Sequence, residues 1–187
     1  MLFRSRWQDG PLTLAARHGA ICYLDEVVEA RADVMTLLHP LTDDRRTLPL
    51  DRVGEELHAP DDFLVVISYN PGYQSVSKEL KESTRQRFVS IAFDYPSAAI
   101  EAEIVAKETG CDTDLARTLV KLGQGTRNLR SHGLGEGAST RLLVYAASLV
   151  QAGLPLKEAA EVTLVGSLTD DAEMTKALRE LLRAVLG

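Results

Sequence analysis

The apolar and polar positions of this chain follow one pattern in its first half and another in its second. Up to residue 95, short apolar runs alternate with helical pieces, which predicts strands connected by helices. From Pro96 onward, apolar residues recur at helical spacing between Gly and Pro breaks, which predicts helices alone. The sequence therefore predicts a partial α/β unit over residues 1–95 and an all-α unit over residues 96–187.

Apolar runs predict the strands of the first unit. The runs are Ala20–Leu24, Phe63–Ser68 and Phe88–Phe93. Runs this continuous suit a parallel sheet covered on both faces. The other elements predicted here are a helix over Pro11–His18, a helix over Arg31–Leu38 ended by Pro40, a hairpin of Arg45–Leu50 with Glu55–His58, and a short polar helix through Ser83–Arg87.

The second unit reads as a succession of helices. They are predicted over Ala98–Thr109, Asp112–Arg130, Ser139–Gln151, Leu156–Val165 and Asp171–Leu186. Because 45% of the 187 residues are hydrophobic, the chain has enough apolar material for a real core.

Charge and cysteine usage narrow the function classes. A formal net charge of −6 argues against a surface built to neutralise nucleic-acid phosphates, so nucleic acid is not expected as a partner. Cys22 and Cys111 are too few for a disulfide framework, which favours a reducing compartment. The N-terminus has no apolar signal region and no stretch is long enough to cross a membrane. We expect a soluble, cytoplasmic protein.

The first strand ends in two carboxylates, Asp25 and Glu26. This is the form of the Walker B motif of ATPases, in which the Asp holds the hydration shell of Mg²⁺ and the Glu polarises the attacking water. The same pair after a strand is also an ordinary helix N-cap with a favourable first-turn charge. On the motif alone, both interpretations stay open.

Further polar residues follow in an order that fits the first interpretation. Asn70 ends the second apolar run, where it can orient the same water, although Asn-Pro-Gly is also a plain turn. Arg85 and Arg87 precede the third run, either as guanidinium groups for a neighbouring subunit's site or as a solvated pair. Arg141 follows the N-cap residue Ser139, where a positive charge opposes the helix dipole.

Taken together, the motifs closely resemble the MoxR-type AAA+ ATPases, and within them the CbbQ/NirQ/NorQ subgroup. The matching segments are Ile21–Glu26, Ile67–Gly72, Ser83–Phe88, Gly137–Arg141, Asp9–Leu12 and His39–Arg46. The resemblance runs from about Trp7 to the C-terminus. It implies the C-terminal portion of a P-loop AAA+ core followed by a helical lid.

The resemblance also implies a role for each candidate residue. Asp25 and Glu26 would be Walker B, with Asp25 binding Mg²⁺ through water, and Asn70 would be sensor 1. Arg87 would be the arginine finger acting in trans, with Arg85 the less favoured candidate, and Arg141 would be sensor 2 acting in cis. ATP and Mg²⁺ are the implied ligands.

Members of this family assemble into hexameric rings and work with a von Willebrand factor A-domain partner. They remodel a metabolic enzyme such as Rubisco or nitric oxide reductase, so the resemblance implies a chaperone-like ATPase. Two alternatives stay open: a non-catalytic interaction module derived from an AAA+ protein, and a MoxR-type ATPase with another client, such as a gas-vesicle or metal-insertion system.

The chain departs from the family in one large respect. No G-x-x-x-x-G-K-[ST] phosphate loop occurs in it, and only 19 residues precede Ala20, too few for the strand, loop and helix that would carry one. We therefore expect a fragment, a truncated gene or a partial reading frame. A chain without the loop is not expected to bind nucleotide as the complete family members do.

Overall fold

A computed structural model describes residues 6–70 and 80–187. The chain divides into two compact units, the first ending at Ile91 and the second running from Ala92 to Gly187.

The first unit begins with a helix whose ends are encoded locally. Helix α1 spans Pro11–His18, as predicted, with Pro11 in the first turn, where a missing N–H costs no helical bond. Gly19 ends it with φ of 68°, and its N–H donates to the carbonyl of Ala15. This left-handed conformation is one that glycine adopts at little steric cost.

The strands of the first unit form two separate pairs. Strands β1 (Ile21–Leu24) and β4 (Leu64–Ile67) are parallel, which confirms the predicted parallel arrangement. Strands β2 (Thr47–Leu50) and β3 (Glu55–His58) form the predicted antiparallel hairpin. Because the β1–β4 register pairs Leu24 with Ile67, both parallel strands end at the same level.

Two predictions about the sheet are wrong. Over Phe88–Phe93 the chain forms no strand, and Val89 and Phe93 are 95% and 92% exposed. A strand needs a neighbour to pair with its backbone groups, and no described segment supplies one here. The parallel pair is also not covered on both faces: Ile21 and Leu64 are exposed while Cys22 and Val65 are buried.

Helix α2 spans Ala32–Leu41 and includes Pro40, so the prediction that Pro40 ends the helix is wrong. A proline removes one backbone donor, and near a helix end that loss is small. The N–H and hydroxyl of Thr42 both reach the carbonyl of Leu38, at 2.9 and 2.7 Å, and close the last turn past the proline. The short helix α3 spans Glu82–Arg85.

The first unit has its core between α1, the hairpin and the parallel pair. Its buried apolar residues are Ala15, Ala16, Cys22, Leu41, Leu48, Leu50, Leu57, Ala59, Phe63 and Val65. A smaller cluster of Val27, Leu38 and Leu80 lies beside it. The burial of alternate residues in β1 and β4 places one face of that pair on the core.

The second unit is all helical, as predicted. Its helices are α4 (Ala98–Thr109), α5 (Thr113–Asn128), α6 (Thr140–Gln151), α7 (Leu156–Ala160) and α8 (Ala172–Leu186), with a 3₁₀ turn at Leu129–His132 and a π turn at Glu161–Val165. The largest fully buried side chains include Leu119, Leu122, Leu143, Leu164 and Leu178. One continuous core therefore serves the whole unit.

Among the helices of residues 6–70 and 80–187, none is both long and apolar enough to cross a membrane.

Candidate functional site

The two sequence-predicted carboxylates lie where the parallel strands end. Asp25 follows β1 directly, and Ser68 follows β4 directly. Since the register brings Leu24 opposite Ile67, these next residues lie side by side at the carboxyl edge of the pair. In open α/β sheets, ligands bind at this edge.

Ser68 joins the two strand ends through its side chain and its backbone. Its hydroxyl donates to Asp25 Oδ1 and accepts from the N–H of Glu26 at 3.1 Å. Its own N–H donates to the carbonyl of Leu24 at 3.0 Å, and its carbonyl accepts from the N–H of Val27 at 3.0 Å. Ser68 is therefore a positioning residue for both carboxylates.

Sequence reasoning did not single out Ser68 for this position. The available signal was its place: it is the first residue after β4, as Asp25 is the first after β1. Only the pairing register turns that similarity into a contact.

Glu26 has a backbone conformation that is uncommon outside glycine. Its φ of 47° and ψ of 46° are left-handed, and a 3₁₀ turn over Val27–Glu29 follows. Such a conformation costs free energy and persists where surrounding contacts over-determine it, often at functional sites. Here the hydrogen bonds from Glu26 and Val27 to Ser68 hold it. The turn leaves the Glu26 side chain exposed at the strand end.

Hydrogen bonds hold the pKa of Asp25 below its usual range. The hydroxyl of Ser68 is the main cause, and the hydroxyl of Tyr23 contributes from 2.9 Å on Oδ1. Asp25 is therefore ionised at neutral pH, and it is exposed. An exposed, ionised carboxylate is what hydrated Mg²⁺ binds.

No group of three metal-ligating side chains exists among the described residues. Mg²⁺ characteristically keeps several waters and binds through one or two carboxylates plus phosphate oxygens. A single carboxylate at Asp25 fits that mode, whereas it does not fit an all-protein metal centre.

Asn70 lies beyond the end of β4, on the same edge as Asp25. It is exposed, and it is the last residue described before the gap at 71–79. Pro71 and Gly72, which complete its sequence motif, lie outside the described residues. Asn70 thus lies three residues past the end of β4, and its action beside the two carboxylates stays a prediction.

The two candidate arginines lie at the end of α3 and just after it. Thr84 anchors this helix. Thr84 is buried, and its hydroxyl is 2.9 Å from His39 Nε2. Arg85 and Arg87 are both exposed on this anchored segment. Arg87 Nη1 donates to the carbonyl of Ser83, which bends its side chain back along the helix.

Arg87 also contributes to the field at a nearby carboxylate. The pKa of Asp43 is lowered to about 2, chiefly by its hydrogen bonds with Arg45 and to a smaller extent by the charge of Arg87. The sequence distinguishes Arg85 from Arg87 only through the family pattern. In the structure, Arg87 is close enough to Asp43 for its charge to help lower the pKa of that carboxyl.

Arg141 belongs to the second unit. It is the second residue of α6, exposed, in a first turn with no acidic residue. Within residues 6–70 and 80–187, no carboxylate forms an ion pair with it. A local partner therefore does not explain why a positive charge stands at this helix N-terminus.

Comparison with known proteins identifies the family of this chain. Residues 101–185 match the family profile described as CbbQ/NirQ/NorQ C-terminal, and residues 3–88 match the AAA domain of the dynein-related subfamily. The chain is 58% identical over 181 residues to protein NorQ of Paracoccus denitrificans, covering 97% of this chain and 67% of the relative. The chain belongs to the CbbQ/NirQ/NorQ family of AAA+ proteins.

Two other members of the CbbQ/NirQ/NorQ family are similar to a comparable degree. Protein CbbQ of Hydrogenophilus thermoluteolus is 58% identical over 175 residues, covering 94% of this chain and 66% of the relative. The denitrification regulatory protein NirQ of Pseudomonas aeruginosa is 56% identical over 175 residues, covering 94% and 67%. The chain thus spans about two thirds of the length of these relatives.

The family profiles divide the candidate residues between them. The AAA profile contains Asp25, Asn70 and Arg87, and the CbbQ/NirQ/NorQ C-terminal profile contains Arg141. Ser68 lies in the first of these segments, so the contacts at the strand ends belong to the part of the chain that matches AAA domains.

Proposed function

We propose that this chain supplies the Walker B, sensor and lid portion of an AAA+ ATPase that hydrolyses Mg²⁺-ATP. The observation that carries the proposal is the hydrogen-bonded arrangement of Asp25, Glu26 and Ser68 at the carboxyl edge of a parallel strand pair. It joins an ionised carboxylate to a second, exposed carboxylate on a constrained turn.

In this proposal each residue has one task. Asp25 holds the water shell of Mg²⁺, and the metal supplies charge neutralisation to the phosphates of the substrate. Glu26 accepts a proton from the attacking water, and Asn70 orients that water. Arg87 stabilises transition-state charge in the site of a neighbouring subunit, and Arg141 contacts nucleotide from the lid of its own subunit.

Family membership supports a chaperone-like role for the assembled protein. We propose a hexameric ring that works with a von Willebrand factor A-domain protein and remodels a metabolic enzyme, nitric oxide reductase or Rubisco. Copurification of tagged ring protein with nitric oxide reductase, abolished by exchanging the client for Rubisco, tests that choice.

The ATPase proposal is tested by Glu26→Gln in the complete product of the reading frame that contains this chain. Loss of the general base should lower ATP turnover by at least about 100-fold while ATP binding stays intact. Glu56→Gln is the matched control, because Glu56 is an exposed carboxylate on β3 away from the strand ends. Turnover that survives in Glu26→Gln would remove Glu26 from the role of base.

A second candidate function follows from the sequence itself. The 187 residues contain no phosphate loop, which favours a non-catalytic interaction module if the natural gene begins at Met1. Sequencing the DNA upstream of Met1 discriminates the two, because an in-frame G-x-x-x-x-G-K-[ST] supports the ATPase. A natural start at Met1 together with no nucleotide binding supports the module.

A further inference from the structure

A buried ion pair joins two helices of the second unit. The Glu101 side chain on α4 is fully buried and that of Arg127 on α5 is 10% exposed. Their bidentate contact has Arg127 Nη1 2.7 Å from Oε2 and Nη2 2.6 Å from Oε1. Burying two charges is expensive, and such a pair is weak evidence for stability alone. The other contacts of the two side chains give the pair a second role.

Arg127 fixes the turn that precedes α6. Its Nε and Nη2 donate to the carbonyl of Ala138 at 2.9 and 2.8 Å, while its guanidinium lies 3.7 Å from the ring centroid of Tyr95. The N–H of Ala138 donates to Thr126 at 2.9 Å. Gly137 packs so tightly here that an added Cβ would lie 2.6 Å from Arg127 Cα. The turn is thus held through both backbone polar groups of one residue, Ala138.

Glu101 fixes the first residue of α6 itself. The hydroxyl of Thr140 donates to Glu101 Oε1 at 2.6 Å, and Thr140 immediately precedes Arg141. The same carboxylate therefore binds Arg127, which holds the turn, and Thr140, which begins the helix. Arg141 emerges from a backbone fixed at both of these points.

These contacts hold the start of α6, which has no side-chain N-cap. Among the described residues, nothing accepts or donates a cap hydrogen bond at the side chain of Ser139, the N-cap residue, and the first turn has no acidic side chain. An exposed arginine at this end is unfavourable to the helix dipole. The Glu101 carboxylate, brought from α4, binds the first residue of α6 through the Thr140 hydroxyl, while its charge is paired with that of Arg127.

We propose that Glu101, Arg127 and Thr140 form a positioning network for Arg141, setting the start of α6 so that Arg141 is held ready for a nucleotide phosphate. The inference rests on the proposed role of Arg141 in nucleotide binding. In this inference the buried Glu101–Arg127 pair positions Arg141, in addition to joining α4 and α5.

A double-mutant cycle in the complete reading-frame product tests this, with dissociation constants measured by fluorescence of mant-ADP. Thr140→Val removes the hydroxyl and leaves the ion pair in place, so the variant should fold. It should weaken mant-ADP binding by roughly tenfold, the loss expected for one hydrogen bond to a charged group. Thr163→Val is the matched control, because the Thr163 hydroxyl is buried in the same unit and donates to the carbonyl of Ala159.

The Arg141→Ala background separates positioning from general stability. If Thr140 acts through Arg141, Thr140→Val should change mant-ADP binding by less than about twofold once Arg141 is gone, because interacting residues show non-additive effects. An undiminished tenfold loss in that background would overturn the inference, as would a Thr163→Val effect of equal size.

The remaining outcomes distinguish this inference from the proposed function. If Arg141→Ala weakens binding and Thr140→Val does not, the network has no positioning role and the role of Arg141 stands. If Arg141→Ala leaves binding unchanged, Arg141 is not a nucleotide ligand, and both the role and the network that serves it are rejected.

Discussion

The hydroxyl of Ser68 donates a hydrogen bond to Asp25 Oδ1, joining the ends of two parallel strands whose residues are separated by more than 40 positions in the chain. The same oxygen accepts the N–H of Glu26. One hydroxyl thereby lowers the pKa of the first carboxylate and holds the backbone of the second. Removing the Ser68 hydroxyl should therefore affect both Asp25 and Glu26.

We predict that Ser68→Ala raises the pKa of Asp25 toward its ordinary value, because Ser68 is the main cause of its depression. The remaining hydrogen bond from Tyr23 should keep the pKa from returning fully. A carbon-detected NMR titration of side-chain carboxylates measures this directly. Ser167→Ala, which removes an exposed hydroxyl in the second unit, is the control and should leave Asp25 unchanged. An identical Asp25 titration in Ser68→Ala would show that the contact is not maintained in solution.

Close packing at Gly137 gives a second prediction. A Cβ at this position would meet Arg127 backbone and side-chain atoms at 2.6 Å, so Gly137→Ala should lower the free energy of unfolding by about 1–3 kcal/mol. Gly135→Ala, two residues away, meets nothing within 4 Å and is the matched control. Urea unfolding of both variants measures the difference. Equal stabilities would mean that the turn and Arg127 can separate without cost.

The sequence predicts the elements that depend on local signals. Pro11 predicts the start of helix α1, and apolar spacing predicts the all-α second unit, because each signal lies within the element that it predicts. The parallel pairing of β1 with β4 also follows from two short apolar runs separated by a long connection. The family resemblance added the order of the candidate residues along those elements.

What the sequence does not predict depends on partners distant in the chain. The run Phe88–Phe93 is apolar enough for a strand, yet a run contains no information on whether a neighbouring strand is present to pair with it. The contact of Ser68 with Asp25 needs the strand register, and the Glu101–Arg127 pair needs the packing of α4 on α5. Such contacts are determined by tertiary packing.

Because of the Glu101–Arg127 pair, we predict that the stability of the second unit depends on pH in the acid range. Burial raises the pKa of Glu101, but hydrogen bonds from Arg127 and Thr140 more than offset this and leave the pKa below its ordinary value of 4.5. A depressed folded-state pKa stabilises the fold above the unfolded pKa, and that contribution is lost as pH falls through the folded pKa. The second unit should therefore lose stability as pH falls below about 4.5.

Glu101→Gln tests the source of that acid sensitivity. It should lower the free energy of unfolding at neutral pH by about 3 kcal/mol, because it leaves the Arg127 charge buried without its counter-ion. It should also flatten the pH dependence below 4.5. Glu103→Gln, an exposed carboxylate on the same helix, should change neither quantity. Urea unfolding across this pH range measures both, and a wild-type slope in Glu101→Gln would assign the acid sensitivity to other carboxylates.

The proposed action of Arg87 across a subunit boundary gives the last prediction, for the complete reading-frame product. Arg87→Ala and Glu26→Gln should each be inactive as an ATPase on its own. Mixed rings should recover activity, because an Arg87→Ala subunit keeps its Glu26 and can receive Arg87 from a Glu26→Gln neighbour. Random mixing of equal amounts should restore roughly a quarter of the wild-type rate, the share of interfaces with both groups intact.

Arg85→Ala is the control that separates the two exposed arginines, one at the end of α3 and one just after it. Arg85 lies two residues away on the same anchored segment, so a general disturbance of α3 would affect both variants, whereas a finger role belongs to one. We expect Arg85→Ala to keep most of the ATPase activity without any mixing. Mixed rings that stay inactive, with each variant assembling normally, would place Arg87 in its own subunit's site, since only a group acting in trans can be supplied by a neighbour.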